Sequence, residues 1–270
     1  MRRSQLIAST DRAGADPAAT KSGARYSLLV AYDNDEVAAA QRLRHQVFAE
    51  EMGAKLEPGA AGVDADYFDQ FCDHLVVRDD NSGAIVGTYR MLPPERAAEA
   101  GRLYADAEFD LTALSALRGS LVETGRSCVA AGHRNGAVVG LVWAGIARYM
   151  LLRGHRFLVG CASVPLADGG TLAAGVWDQV RTRHLAPPAY RVSPYRPWNH
   201  AGVPLPSRKG LPPLLKGYVR LGAYVCGPPA HDPDFGVADF LVLLDLQRVD
   251  ARYLRFFLGE SPGDAAGELR

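Results

Sequence analysis

Residues 121–164 constrain the fold more than any other part of the chain. Their pattern predicts a strand over 121–129, a polar turn with two glycines over 130–136, an amphipathic helix over 137–154 and a second strand over 157–164. Short strands come first along the chain and this strand–turn–helix–strand unit follows. The order therefore predicts an α+β fold with a mixed sheet rather than a doubly wound one.

Further elements are predicted on both sides of this unit. Two apolar runs flank the turn DDNSG at 79–83, which indicates an antiparallel hairpin over 74–92. Asp33-Asn34-Asp35-Glu36 is a helix-start signal. The other predicted elements are a strand over 26–32, a helix to about residue 51, a long ordered loop over 52–73, a helix over 171–184, and strands over 224–227 and 238–246.

The predicted elements indicate one main domain over residues 26–250, which includes a distinct C-terminal block at 185–246. Residues 1–25 are small, polar and without periodicity, so we expect a flexible tail there. Residues 251–270 are expected to be a C-terminal extension. No internal repeat is visible.

Charge is unevenly distributed, although the formal net charge of the 270 residues is zero. Between residues 64 and 110, eleven acidic residues stand against four arginines. Between residues 124 and 227, thirteen basic residues stand against two aspartates. The neutral total argues against nucleic acid as a partner. The two blocks are consistent with a small cationic substrate and a large anionic partner, provided that both blocks face one cleft.

The four cysteines, at 72, 128, 161 and 226, lack metal-ligand spacing, so we expect no metal site and no disulfide framework. Cys128 has no paired histidine in its motif, which argues against a nucleophilic role. The N-terminus lacks the apolar core of a signal peptide, and the longest apolar run, 136–147, is too short to cross a bilayer. These features predict a cytoplasmic protein.

The turn AAGHRNG at 130–136 indicates an anion site. Gly132, His133, Arg134 and Gly136 precede a predicted helix, where free backbone N–H groups and the helix dipole favour phosphate or pyrophosphate. Arg134 adds a bidentate donor. Most glycine-rich helix starts are simple turns, so this motif alone does not define a phosphate site.

Six further charged residues stand in a distinctive order upstream of this turn. They are Arg44 in RHQVFAEE, Asp66 and Asp69 in DYFD, Arg90 in GTYRML, and Glu123 and Arg126 in ETGR.

In this order and spacing the set resembles the acyl-homoserine-lactone synthases and their relatives in the GNAT acyltransferase superfamily. The likeness covers roughly residues 26–246 and is closest to the ornithine N-acyltransferases that make lyso-ornithine lipid, because residues 211–244 also resemble that branch. It implies a mixed, mostly antiparallel, twisted sheet flanked by helices. It also implies transfer of a (3-hydroxy)fatty acyl group from an acyl-phosphopantetheine thioester to an amine, with acyl carrier protein as partner and no permanently bound cofactor.

The resemblance further implies roles for the residues around the turn. Glu123 would be the general base that accepts a proton from the amine, with Arg126 as its catalytic neighbour. A strand bulge at Gly125 would let both side chains act at one site and would free a backbone N–H near Ser127 for the oxyanion. The turn residues at 132–136 would hold the phosphopantetheine arm.

The acceptor would bind to the remaining members of the set. Asp66 and Asp69 would hold a cationic amino acid, while Arg44, Arg90 and Arg126 would bind its carboxylate or fix the two acids in place. Structural alternatives stay open for these residues. Arg44 could be a solvated surface charge, Asp66 and Asp69 could cap a loop turn, and Arg90 could belong to a stabilising ion pair.

Alternative functions also stay open. One is an acyl-CoA-dependent N-acyltransferase that uses another amine. Another is a lactone synthase that uses S-adenosylmethionine, although the C-terminal block and the absence of tryptophan from residues 49–63 argue against it. A non-enzymatic membrane-active protein is the third.

Residues 211–221, with Lys209, Lys216 and Arg220, suggest a peripheral contact with the inner face of the membrane.

Overall fold

The computed structural model describes residues 4–10, 25–208 and 210–253. The strands of this part are β1 (Gln5–Ser9), β2 (Tyr26–Ala31), β3 (Asp73–Asp79), β4 (Ile85–Leu92), β5 (Phe109–Asp110), β6 (Leu121–Val129), β7 (Phe157–Pro165), β8 (Ser193–Pro194), β9 (Tyr224–Val225), β10 (Ala230–Asp232) and β11 (Val237–Asp245). The α-helices are α1 (Asn34–His45), α2 (Pro94–Ala100), α3 (Gly136–Arg153), α4 (Thr171–Arg183) and α5 (Pro213–Arg220).

One large mixed sheet organises the fold, with the strand order β1-β2-β3-β4-β6-β7-β11-β10 and β9 paired to β11. Its neighbouring strands run antiparallel, apart from the parallel pair β6–β7. The parallel pair follows from the crossover through α3, since a helix between two strands returns the chain in the same direction. The predicted α+β fold with a mostly antiparallel sheet flanked by helices is confirmed.

Helices cover both faces of this sheet. Successive residues of a strand point to opposite faces, and in these strands the residues on both faces are apolar. In β2, Leu28 and Val30 belong to the large core that includes α3, whereas Leu29 and Ala31 pack in the smaller cluster beneath α1. The helix α3 is long and apolar enough to cross a membrane, yet 56% of it is buried in the structure. It is therefore a helix of the hydrophobic core, packed against one face of the sheet.

The neighbouring strands β6 and β7 pair over only part of their length. Their parallel pairing runs from Leu121 opposite Phe157 to Thr124 opposite Gly160. Beyond Thr124, β6 continues beside β4, and β7 continues beside β11. The two strands therefore part at Gly125, and a cleft opens in the middle of the sheet.

Gly160 holds the last contact before the strands part, and this position does not tolerate a side chain. A Cβ there would lie 2.6 Å from both the carbonyl oxygen and the Oγ1 of Thr124. We expect Gly160→Ala to lower the free energy of unfolding by about 1–3 kcal/mol, as overpacked sites do. Urea denaturation measures this change. The matched control is Gly140→Ala on α3, where a Cβ meets nothing within 4 Å; equal stability of the two variants would contradict the prediction.

The N-terminal segment corrects one prediction. Residues 5–9 were expected in a flexible tail, but they form the edge strand β1, which pairs with β2 and buries Ile7 and Ala8. This pairing joins segments about 20 residues apart, and a short polar stretch does not reveal it. Residues 1–3 and 11–24 of the predicted tail lie outside the described residues, as do residues 254–270 of the predicted extension.

Candidate functional site

A cavity of about 220 Å³ lies where β6 and β7 part. Glu123, Thr124, Gly125, Arg126 and Ser127 of β6 form one part of its wall. The rest of the wall comes from α5, from residues 48–108, and from the strands β7, β10 and β11 with their connections. Of the residues proposed from sequence, the cavity wall brings together Glu123, Arg126, Ser127 and Arg90.

Beside the cavity, three arginines and three aspartates form a closed ring of ion pairs. Each arginine joins two aspartates, and each aspartate joins two arginines. Arg44 lies 2.9 Å from Asp64 and 2.8 Å from Asp69; Arg90 lies 2.6 Å from Asp66 and 3.2 Å from Asp69; Arg126 lies 3.3 Å from Asp64 and 3.2 Å from Asp66. We call this set the ion-pair ring. Its formal charges cancel.

The ion-pair ring decides between the alternatives left open for its members. Arg44 is fully buried, so the surface-charge alternative is wrong. Asp66 and Asp69 are paired with arginines and do not line the cavity, so they are not placed to hold a cationic substrate in it. Arg90 is itself part of the buried network. Burial alone would raise the pKa of Asp69, but the charge and hydrogen bonds of Arg44, together with Arg90, hold that pKa well below its usual range.

Asp64 is the member of the ion-pair ring that the sequence argument missed. It is buried, and its backbone carbonyl also accepts a hydrogen bond from Arg44. Its backbone N–H donates to Gln41 at 3.1 Å, which joins the loop to α1. The motif DYFD begins two residues later and gives no sign that Asp64 belongs to the same network.

A bulge in β6 aims Arg126 at the cavity. Arg90 pairs with Gly125 and Thr88 with Cys128, so Tyr89 alone opposes both Arg126 and Ser127. The bulge predicted here is confirmed, but its left-handed residue is Arg126, at φ 51°, rather than Gly125. The guanidinium of Arg126 lies between the rings of Tyr104 and Phe235, 5.1 and 4.9 Å from their centroids. A bulge also leaves one backbone N–H of β6 without a partner in β4.

Glu123 is a buried carboxylate on the cavity wall. Its two oxygens accept hydrogen bonds from the backbone N–H groups of Tyr104, at 2.5 Å, and Ala105, at 2.8 Å. Burial raises the pKa of Glu123 to about 7 and outweighs these two hydrogen bonds. Such a carboxylate can accept a proton near neutral pH, which is what a general base requires.

The predicted phosphate turn lies outside the cavity wall, at the N-terminus of α3. The side chain of Asn135 caps the helix by accepting hydrogen bonds from the N–H groups of Ala137 and Val138. Arg134 pairs with Glu51 and donates to the carbonyl of Val129, and His133 lies 3.0 Å from the hydroxyl of Tyr26. Gly132, His133, Arg134 and Gly136 thus belong to a separate exposed turn.

Three carboxylates that the sequence argument missed also line the cavity. Glu108, Asp232 and Asp239 each offer an oxygen within 4.8 Å of the other two. We call them the acidic trio. Such a group could hold a cation, including a metal ion. The sequence carried one signal: Asp239 stands inside the apolar run VADFLVLL, where an unpaired carboxylate is costly.

The thiols near the site are not prepared to act as nucleophiles. Cys128 is buried against Leu43, Val47 and Phe48, and this burial raises its pKa to about 12. Cys161 lines the cavity, and burial raises its pKa well above the ordinary value as well. Since the thiolate is the reactive form, direct transfer without an acyl-cysteine intermediate suits this site better.

The comparisons with known proteins identify an acyltransferase that contains a GNAT domain. The Acetyltransferase (GNAT) domain family matches residues 43–144. The fold is similar to that of a CoA-dependent acyl-homoserine lactone synthase, BjaI, at 16% identity and TM-score 0.51, covering 83% of this chain and 81% of that one. It is also similar to FeeM, an N-acyl amino acid synthase from uncultured soil microbes, at 14% identity and TM-score 0.51, covering 83% of this chain and 92% of that one.

The relatives of higher identity define the family more narrowly. The L-ornithine N(alpha)-acyltransferase of Rhodobacter capsulatus is 35% identical, with 86% of this chain and 94% of the relative covered. The enzyme of the same name from Brucella abortus is 37% identical, with 87% and 90% covered. The chain belongs to the family of L-ornithine N(alpha)-acyltransferases, and it is an amide-forming acyltransferase.

Proposed function

We propose that this protein transfers a (3-hydroxy)fatty acyl group from acyl carrier protein to the α-amine of L-ornithine, in the formation of lyso-ornithine lipid. The observation that carries the proposal is the position of Glu123 in the cavity where β6 and β7 part, in a chain whose relatives are named for this acylation. A cavity of about 220 Å³ suits an amino acid and the reacting end of a thioester rather than a large ligand.

Activation of the amine is the first requirement. An α-ammonium group has no lone pair for attack, so a base must remove a proton. Glu123 would take this proton, and the amine would attack the thioester carbonyl. When the carbon–sulfur bond breaks, the second proton of the nitrogen passes to the departing sulfur. The proton on Glu123 then returns to solvent, and the products are an amide and a free thiol.

The negative charge that develops on the carbonyl oxygen is the second requirement. The bulge at Arg126 and Ser127 supplies a backbone N–H that β4 does not bind, and it lies on the cavity wall. The guanidinium groups of Arg90 and Arg126 also border the cavity, and N–H groups that the ion-pair ring does not use would donate to the carboxylate of the acceptor. The pantetheine arm would enter between the parted strands from the side of the turn at 132–136.

The carrier protein would bind to the basic half of the chain. Acyl carrier protein is acidic, and exposed arginines such as Arg134, Arg183 and Arg208 belong to the block that carries thirteen basic residues. Several arginines of this block also pair with acids, as Arg134 does with Glu51 and Arg156 with Asp245. The concentration of basic residues in this block supports an acyl donor that is carried by an acidic protein.

Arg134 offers a test of donor binding. We expect Arg134→Ala to raise the KM for the acyl donor about 10–150-fold with little change in kcat, because a hydrogen bond to a charged group contributes about 1.5–3 kcal/mol. Steady-state kinetics with each substrate varied in turn measures this. Arg252→Ala, which removes an exposed arginine paired with Asp250 outside the basic block, is the control. An effect confined to the KM for the amino acid would contradict the role in donor binding.

A cytoplasmic location with peripheral membrane contact is part of the proposal, since the product is an amphiphile. The apolar residues Leu215 and Tyr218 of α5 face the core, whereas Lys216 and Arg220 are exposed. The contact would therefore be electrostatic rather than inserted. We expect co-sedimentation with anionic vesicles at low salt that is lost at high salt. No binding to these vesicles at low salt would contradict this contact.

Purified protein would be incubated with a 3-hydroxyacyl carrier protein, or with the matching acyl-CoA, and with each amino acid separately. Mass spectrometry of the lipid extract identifies the product. We expect acylated ornithine with the carrier-protein donor. Acylation of a different amine, or a preference for acyl-CoA, would correct the substrate or the donor, and the absence of any acylated amine would contradict the proposed function.

A further inference from the structure

The acidic trio is assembled from two distant parts of the chain. Asp232 ends β10 and Asp239 is the third residue of β11, so one hairpin carries both. Glu108 stands just before β5, and its backbone carbonyl accepts a hydrogen bond from the N–H of Tyr195 at 2.8 Å. The three carboxylates share the wall of the cavity that holds Glu123.

Asp239 is buried and Glu108 and Asp232 are half-buried, and none of the three pairs with a basic side chain among the described residues. Asp239 is 3% exposed, and its side chain accepts a hydrogen bond of 2.5 Å from Ser163. The Oε2 atom of Glu108 is buried, and no N–H or hydroxyl group among the described residues donates to it; its carboxyl group meets that of Asp239 instead. Within the described ranges, the acidic trio forms no ion pair, in contrast to the aspartates of the ion-pair ring.

Three carboxylates so close together are electrostatically unfavourable when all are ionised. Burial, together with the neighbouring acids, raises the pKa of Glu108 to about 9 and that of Asp239 to about 6. Like charges in a partly buried cavity repel each other, and either protons or a bound cation relieve the repulsion. The geometry that points to a positively charged ligand is the convergence of three carboxylates, with no basic partner among the described residues, on the wall of one cavity.

We propose that the acidic trio binds the side-chain ammonium of the acceptor and thereby selects a dibasic amino acid over one with an uncharged side chain. The inference rests on the proposed function. An ammonium group has three N–H donors, which three carboxylates can satisfy. The trio and Glu123 border one cavity, so a single amino acid can present its α-amine to the base and its far end to the trio.

The test compares L-ornithine with L-norvaline, which has the same carbon chain without the terminal ammonium. The wild-type protein should favour ornithine in kcat/KM by about 10⁴-fold, since a site built to hydrogen-bond a group rejects an analogue that lacks it. We expect Asp239→Asn and Asp232→Asn to reduce this preference by about 10–100-fold, the effect of removing one charged hydrogen-bond partner. Activity with norvaline should be retained, which also shows that the variants fold.

The matched control is Asp234→Asn. This residue is exposed, lies two positions from Asp232, carries the same charge and is not part of the cavity wall. It should leave the preference unchanged. Equal losses with ornithine and norvaline in the trio variants would mean that the trio is only structural and would overturn the inference.

Calorimetric titration of wild-type and Asp239→Asn protein with ornithine separates this inference from the proposed function, because it needs no turnover. If no amine is acylated but Asp239→Asn still weakens ornithine binding about 10–100-fold, the proposed function fails and the inference holds. If the variant binds ornithine as the wild type does, the inference fails whatever the activity. The same titration with Mg²⁺ and Mn²⁺ covers the metal alternative. Tight metal binding that depends on Asp239, with ornithine binding unaffected, would overturn the inference.

Discussion

Glu123→Gln is expected to lower kcat by about 10²–10⁴-fold, the usual contribution of a positioned general base. The substitution keeps the size of the side chain and removes its ability to accept the proton of the amine. In the wild type, the backbone N–H groups of Tyr104 and Ala105 donate to the carboxylate of Glu123. A glutamine would place its NH₂ group, also a donor, against one of them. Denaturation curves must therefore accompany the rates, so that lost chemistry is separated from lost structure.

The pH dependence of the rate gives the same prediction a second test. The pKa of Glu123 is raised to about 7, so the base is protonated and inactive below that pH and becomes available above it. The kcat of the wild type should rise with pH through about 7 and then level off. In Glu123→Gln this inflection should disappear. A variant with wild-type kcat, or with the same inflection, would remove Glu123 as the base.

Arg44→Ala should lower the free energy of unfolding by about 3–5 kcal/mol, the cost of removing one partner from a buried ion pair. Arg44 is fully buried and contacts both Asp64 and Asp69, so the substitution leaves two aspartates short of a counter-charge and opens a cavity. Urea denaturation at neutral pH measures the change. The ion-pair ring also fixes Arg126, so we expect activity to fall in the same variant.

The control for this prediction is Arg181→Ala, which breaks an exposed ion pair of 2.7 Å with Asp178 on α4. Exposed pairs contribute about 0–1 kcal/mol, so this variant should remain close to the wild type in stability. If Arg44→Ala were equally mild, the ion-pair ring would not be the buried framework that the distances indicate.

The fold could be predicted from local pattern where the pattern is strong. The apolar strand, glycine turn and amphipathic helix at residues 121–154 are visible in the sequence, and so is the hairpin that ends at Leu92. The edge strand β1 and the short helix α5 were not predicted. Strand β1 depends on pairing with the distant strand β2, and helix α5 lies in a region rich in proline, where periodicity is weak.

The sequence predicted which charged residues come together, but not which of them form ion pairs with each other. Arg44, Asp66, Asp69, Arg90 and Arg126 do meet in space, but they neutralise each other instead of leaving the aspartates for a substrate. The acidic trio could not be found in the same way. More than 120 residues separate Glu108 from its partners, and only the strand order brings them to one cavity.

The two charge blocks meet in a way that the sequence could not show. Asp64 and Asp66 of the acidic block pair with Arg126 of the basic block, so part of the opposite charge cancels beside the cavity. Among the described residues, the carboxylates that face the cavity without an ion pair are Glu123 and the acidic trio, two of whose members come from β10 and β11. The cationic acceptor is therefore expected on the side of β10 and β11 and not at the loop over 52–73.

The position of the acyl group on the product tests the central proposal most directly. Purified protein would be incubated with a 3-hydroxyacyl carrier protein and L-ornithine, and tandem mass spectrometry would identify which nitrogen carries the acyl chain. With Glu123 acting on the α-amine and the acidic trio holding the other end, we predict the amide on the α-nitrogen only. Acylation of the side-chain nitrogen, or no acylated ornithine at all, would contradict the proposed reaction.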